Sequence, residues 1–218
     1  VHCYAPAYTE SDLRECLRFS DHIVFNSFSQ WQRVGHIARE AGGSCGIRVN
    51  PQQREVAVEL YDPSAPRSRL GVIESEFRPE LLEGLDGLHF HALCELGSDA
   101  LGRVLSAFEK RFGKYVPKLK WVNFGGGHHI TRPGYDVELL IKLVTSFKQR
   151  YRVQGYLEPG EAIVRPLGVA DIEEAADQEI GLARAAVPGA VADASKACVA
   201  VHEAPSAKGR RAGKGPAG

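Results

Sequence analysis

Trp121-Val122-Asn123-Phe124-Gly125-Gly126-Gly127-His128-His129-Ile130-Thr131 decides how the rest of the chain is read. Its first four residues suit a buried strand, and they run into three consecutive glycines and then two histidines. Glycine adopts φ > 0 without a Cβ penalty and lets a ligand approach the bare backbone. Successive free N–H groups in such a turn form a nest suited to phosphate or another anion. Imidazoles directly after the nest put acid/base or stacking groups beside whatever is bound. A plain strand-to-helix turn would have the same local sequence, so the other strand ends must decide between them.

Working outward, five more segments have strand character and exit into polar or glycine residues. Upstream lie Val1-His2-Cys3-Tyr4-Ala5-Pro6, His22-Ile23-Val24-Phe25-Asn26-Ser27, Cys45-Gly46-Ile47-Arg48-Val49-Asn50-Pro51 and Gly87-Leu88-His89-Phe90-His91. Downstream is Gln154-Gly155-Tyr156-Leu157-Glu158-Pro159-Gly160-Glu161. Between them, Thr9-Glu10-Ser11-Asp12 offers cap chemistry for a short helix, and Ser29 for a second that carries Trp31, Val34 and Ile37. Leu101, Val104, Leu105 and Phe108 predict a third helix over 99–112, and Leu139, Leu140, Leu143, Val144 and Phe147 a fourth over 137–151. The segment reaching Gly71 is long for a plain connection, which points to function. Strands alternating with helices, each with a polar exit, predict a parallel α/β protein with its ligand at the carboxyl ends. Six such units make about six of the eight strands of a (β/α)8 TIM barrel; an open doubly wound sheet is the other architecture with this periodicity.

With 218 residues, 44% of them hydrophobic, the chain can bury a core, and its net charge of +0 gives no electrostatic pull toward nucleic acid or an anionic membrane. No apolar run is long enough to span a bilayer. Five cysteines (Cys3, Cys16, Cys45, Cys94, Cys198) without metal or redox spacing read as reduced thiols of a cytoplasmic protein. The lack of methionine agrees with a fragment. After Ala162 the character changes: no aromatic residue follows Tyr156, and alanine dominates. We expect residues 163–218 to be partly helical, over 171–186, and then disordered over 204–218.

His89 and His91 are two apart on a strand and share one face, with Phe90 opposite. Three readings stay open for them: satisfied core histidines, a metal pair extended by His128 and His129 in a metal-dependent hydrolase, or groups at a cofactor. Glu158 sits on a strand end before a rigid Pro159-Gly160, with Glu161 following. An anion nest, an imidazole and a positioned carboxylate together suit a flat phosphorylated cofactor: the nest on the phosphate, His91 against the ring, Glu158 at a ring nitrogen.

Three segments closely resemble the carboxynorspermidine decarboxylases of the alanine-racemase-like, pyridoxal-phosphate-dependent barrels: Gly87-Leu88-His89-Phe90-His91-Ala92-Leu93-Cys94-Glu95, Trp121 to Thr131, and Tyr156 to Ala162. Tyr4-Ala5-Pro6, Ile23 to Ser27 and Ser68 to Gly71 are similar to that family too, and the match covers 1–162. The resemblance implies decarboxylation of carboxynorspermidine or carboxyspermidine to the polyamine, with pyridoxal 5'-phosphate as cofactor, in a homodimeric parent enzyme. It implies cofactor contacts at His91, Gly125, Gly126, Gly127 and Glu158, and substrate contacts at Glu161, with His128 and Glu95 as further candidates. The broader class has an arginine after its Glu-Pro-Gly; Glu161 here exchanges a phosphate contact for an anion that suits a chain of ammonium groups. Against the family pattern, the chain lacks two opening strands, including the Schiff-base lysine, and the C-terminal β-domain. The resemblance therefore implies a chain inactive by itself, with no catalytic residue assigned, and a non-catalytic remnant remains a further alternative.

Overall fold

A computed structural model describes residues 1–160; the expectations for Glu161 and for the segment 163–218 lie outside the described residues. Six strands, β1 (His2–Tyr4), β2 (His22–Phe25), β3 (Ser44–Arg48), β4 (Gly87–His89), β5 (Trp121–Gly126) and β6 (Gln154–Glu158), form one sheet in sequence order. Every neighbouring pair is parallel. A doubly wound sheet reverses its strand order at a switch point. The unbroken order β1 to β6 instead belongs to a barrel wall, and it settles the choice that periodicity left open.

The wall is strongly curled. Laid flat, first and last strands would be about 24 Å apart at ~4.8 Å per strand. Yet the His2 ring of β1 lies 4.3 Å from the Tyr156 ring of β6, and His2 Nδ1 is 3.1 Å from Asn123 Nδ2. Side chains alternate across each strand, so one set fills the concave side and the other faces the helices. On the concave side the indole of Trp121 covers Gly46 and Gly87, where any Cβ would overlap it, and Nε1 donates to Ser44 Oγ at 2.9 Å. Edge-on to that indole stand His2 and His22, whose rings stack 4.0 Å apart.

Outside the sheet pack α1 (Glu10–Cys16), α2 (Phe28–Glu40), α3 (Ser98–Phe112) and α4 (Val137–Tyr151). Phe25 meets Trp31, Phe90 meets Phe108, and Phe124 meets Phe147, at ring separations of 5.4, 4.8 and 5.3 Å. These rings and the surrounding Ile23, Ile47, Leu88, Leu101, Val104 and Val122 form the core. Its burial is the main stabilising term of the fold. The helix starts follow side-chain caps. Thr9 and Asp12 form a reciprocal capping box on α1, and Asp136 caps α4. The start of α2 differs from expectation: Ser27 is the cap, accepting from Gln30 N, and Ser29 lies in the first turn. Ser27 has the extended backbone a cap requires, with φ −152° and ψ 158°. The fourth strand ends at His89 rather than His91, and the sixth at Glu158. Cys3, Cys16 and Cys45 are free thiols. No described helix is long and apolar enough to cross a membrane.

Candidate active site

At the carboxyl end of β6, Glu158 reaches a cluster built by β4 and β5. Asn123 Nδ2 donates to Glu158 Oε1 at 2.8 Å. The other carboxylate oxygen, Oε2, lies 3.8 Å from His89 Nε2 and 3.8 Å from His91 Nδ1. Burial pushes the Glu158 carboxyl up; His89, His91 and the Asn123 amide more than reverse this and hold it below the usual carboxylate range. His89 is held down to about 3 by burial, partly offset by Glu158, so its ring is neutral at pH 7. His89 and His91, two apart along the chain, both approach Glu158 of β6, while Phe90 enters the core on the other side.

The glycine turn closes over this cluster. Gly125 and Gly127 have φ of +71° and +80°, values that side-chain-bearing residues rarely adopt. A bulge separates Asn123 from Gly126 in the pairing with β6, so Gly126 falls opposite Glu158. Gly125 N donates to Asn123 Oδ1 at 2.8 Å, and Gly126 N approaches His91 Nδ1 at 3.4 Å. A Cβ on Gly126 would collide with the Glu158 carbonyl and lie 3.2 Å from His91 Cε1. The turn thus lies close against the Glu158 backbone and the His91 ring.

The remaining expected residues occupy different surroundings. His128 is fully buried, its pKa lowered to about 4 by desolvation first and His91 next. His129 is buried as well, 9% exposed. Glu95 is on the surface with φ +53°, on the segment that follows His91 and pairs at Leu96 with His128. The reading of His89 and His91 as a metal pair lacked an obvious third ligand in the sequence; Glu158 supplies one from a strand 67 positions further on.

Three residues here carry no expectation from sequence. Asn123 is completely buried and joins Glu158 to the turn. Arg48, 5% exposed, lies over the Tyr4 ring at 4.5 Å and donates to the His91 carbonyl at 3.1 Å. Asn26 Oδ1 accepts from Tyr4 Oη at 2.8 Å and from Gly71 N at 2.7 Å, and its amide donates to Arg69 O at 2.8 Å. A polar residue inside an otherwise apolar strand is the signal for Arg48 and Asn123. Asn26 draws together the three lesser segments of the family resemblance. A cavity of about 630 Å³ is lined by Asn26 together with Asn50, Arg54 and Arg69 among others, and neither His91 nor Glu158 lines it.

No family model matches the chain. It is 47% identical over 163 residues to the carboxynorspermidine/carboxyspermidine decarboxylase of Campylobacter jejuni subsp. jejuni serotype O:6, covering 75% of this chain and 42% of that protein. To the carboxyaminopropylagmatine decarboxylase of Synechocystis sp. it is 38% identical over 169 residues, 77% and 44% of the two chains. The crystal structure of carboxynorspermidine decarboxylase complexed with norspermidine, from Campylobacter jejuni, superimposes with a TM-score of 0.63 at 47% identity, over 74% of this chain and 41% of that one. In fold, the chain is similar to part of that decarboxylase's barrel. It spans less than half the length of these relatives. Its strands β1 to β6 follow one another in sequence order as in a barrel wall, and the cluster at Glu158 stands at the carboxyl ends, where barrel enzymes carry their chemistry. Both relatives are decarboxylases, which favours the decarboxylase reading over a metal-dependent hydrolase.

Proposed function

We propose that this chain provides the cofactor-holding part of a pyridoxal-phosphate decarboxylase that acts on a carboxylated polyamine. The observation that carries the reading is the ionised Glu158 carboxylate, held at a strand end by Asn123 beside His91 and the glycine turn. These residues fit the cofactor. The Gly125–Gly127 turn suits its phosphate, half-buried His91 suits the face of its ring, and Glu158 suits the ring nitrogen. Pyridoxal phosphate, when bound, supplies the electron sink that decarboxylation requires. Glu158, kept ionised, holds a proton at the ring nitrogen, because an opposite charge favours the charged partner. Asn123 orients Glu158 and also secures the start of the turn, so one amide aligns both contacts. Arg48 steadies His91 through its carbonyl.

The relatives' substrates are carboxylated amines with more than one basic nitrogen, and we carry carboxynorspermidine or carboxyspermidine to this chain. Glu161 is the proposed anion for the ammonium chain, with exposed Glu95 and fully buried His128 as further candidates. The lysine that anchors the cofactor is proposed to come from outside this chain. Among the described residues, Lys110, Lys142 and Lys148 are on α3 and α4, Lys114 and Lys118 follow α3, and Lys120 precedes β5, paired with Asp86 at 2.8 Å. None stands at a strand's carboxyl end. We read the chain as inactive alone, and the whole enzyme as a cytoplasmic homodimer.

The test is to incubate the pure chain with pyridoxal phosphate and measure binding by equilibrium dialysis, for the wild type and Glu158→Gln. Borohydride reduction and mapping of modified lysines follow. Saturable binding that drops with the variant, and no stoichiometric lysine label, is the expected result. Undetectable binding, or binding indifferent to Glu158→Gln, overturns the reading.

A further inference from the structure

His89 is not accounted for by the cofactor contacts just described. It is 1% exposed, and neither ring nitrogen makes a hydrogen bond among the described residues. Buried imidazoles are ordinarily satisfied, so one aimed only at a carboxylate 3.8 Å away marks a place where something else can bind. Its Nε2 points at Glu158 Oε2, the same oxygen that lies 3.8 Å from His91 Nδ1, and the three ligand atoms are all within 4.8 Å of one another.

We propose that His89, His91 and Glu158 form a site for a divalent transition-metal ion, which competes with the phosphorylated cofactor for His91 and Glu158. Two imidazoles and one carboxylate are borderline ligands that select Zn²⁺, Co²⁺ or Ni²⁺ over Mg²⁺ and Ca²⁺, which prefer oxygen. Metal–nitrogen and metal–oxygen bonds of about 2.0–2.2 Å let atoms 3.8 Å apart share one ion; the widest pair closes by roughly an ångström. The ligands come from two strand ends, with His89 fixed by burial. His91 and Glu158 keep side-chain exposures of 36% and 27%, so closure is available to them and water completes the coordination. The weak contact from Gly126 N to His91 Nδ1, at 3.4 Å, is given up on metal binding. Asn123 bonds Glu158 through Oε1 and leaves Oε2 for the ion, the outer-shell support typical of ligating carboxylates.

The metal site goes beyond the decarboxylase reading and does not depend on it; only the competition with the cofactor rests on that reading. It makes the metal an inhibitor of cofactor loading rather than a participant in the reaction. Full-length chain, stripped with chelator and exchanged into chelator-free buffer, is titrated with Co²⁺ while the visible absorption is followed; Zn²⁺ stoichiometry is measured by elemental analysis after dialysis. One equivalent is expected, with affinity lowered at least tenfold by His89→Gln and by Glu158→Gln, and unchanged by His36→Ala on the exposed face of α2. X-ray absorption of the Zn²⁺-loaded wild type is independent of how the variants fold, and should show a nitrogen/oxygen shell containing two imidazoles. Pyridoxal phosphate added to the Co²⁺ form should displace the metal. Absence of binding, a sulfur shell, or affinity indifferent to both variants overturns the proposal. Failure of pyridoxal phosphate to bind metal-free protein that still takes one Co²⁺ counts against the decarboxylase reading and the competition alone.

Discussion

Asn123 holds Glu158 from the neighbouring strand: its amide nitrogen gives the carboxylate a 2.8 Å hydrogen bond while its amide oxygen takes the Gly125 N–H, also at 2.8 Å. Replacing it with alanine strips one buried acceptor and one buried donor at the same moment. An unsatisfied buried group costs about 1–3 kcal/mol. Asn123→Ala should lower unfolding stability by roughly 2–4 kcal/mol on that basis and loosen Glu158. Urea unfolding followed by far-UV circular dichroism measures it, and a loss below about 0.5 kcal/mol would show that the two bonds matter little.

The acid side of the stability profile follows from His89 and His128. Their ordinary pKa of 6.5 falls to about 3 and about 4 in the fold, in both cases mainly through burial. Between those values the unfolded chain binds protons that the folded chain refuses. Stability is therefore intact above pH 6.5 and lost as pH falls below it, at roughly 1.4 kcal/mol per pH unit for each ring. Glu158, held below the usual range, adds a loss of the same sign further down, below its ordinary 4.5. Urea midpoints at pH 7.5 and 5.0 should differ clearly, with the lower value at pH 5.0. Equal midpoints would mean that these rings are not neutral and buried.

Two glycines with positive φ separate conformational strain from steric overlap. Gly134, at φ +83°, has open space where a Cβ would stand. Gly134→Ala should cost only about 1 kcal/mol, the backbone penalty. Gly125, at φ +71°, would put its Cβ 2.5 Å from the Phe90 carbonyl and 2.7 Å from His91 Cα. Gly125→Ala should add about 1–3 kcal/mol for overpacking to the same backbone term. Thermal melts of the two variants side by side decide this, and equal losses would remove the steric part of the account.

The floor of the barrel offers a coupling experiment. A methyl on Gly87 would occupy the place of the Trp121 indole. Gly87→Ala alone should destabilise by about 1–3 kcal/mol, and Trp121→Leu alone by a comparable amount. The double variant should recover part of the sum, because each change relieves the other. Additive losses in denaturant melts would show that the indole does not rest on that glycine.

Much of the fold could be read in sequence because each strand and helix is locally self-consistent. Thr9 with Asp12, the apolar spacing of Leu101, Val104 and Phe108, and the glycines after Phe124 carry their structural meaning within a few residues. Cap choice was less legible: Ser27 and Ser29 are equally competent chemically, and the fold selects Ser27 because β2 ends just before it. That His89 and His91 share a face was legible because they are two apart along the chain; that Glu158 of β6 meets them follows only from the curl of the sheet. Asn123, Arg48 and Asn26 were not assigned, because their partners are 35, 43 and 45 positions away and meet only after the sheet curls. Periodicity describes which face a side chain takes; it does not say which distant strand will face it.

The ring cluster on the concave side gives the molecule a built-in optical probe. The chain has two tryptophans, and one of them, Trp121, stands edge-on to the imidazoles of His2 and His22 at 5.3 and 5.4 Å. The other, Trp31, lies across the sheet against Phe25 with the Arg39 guanidinium 5.3 Å from its ring. A protonated imidazole quenches a neighbouring excited indole where a neutral one does so weakly. Emission from Trp121 therefore reports the charge of the barrel floor, while Trp31 supplies a reference within the same molecule.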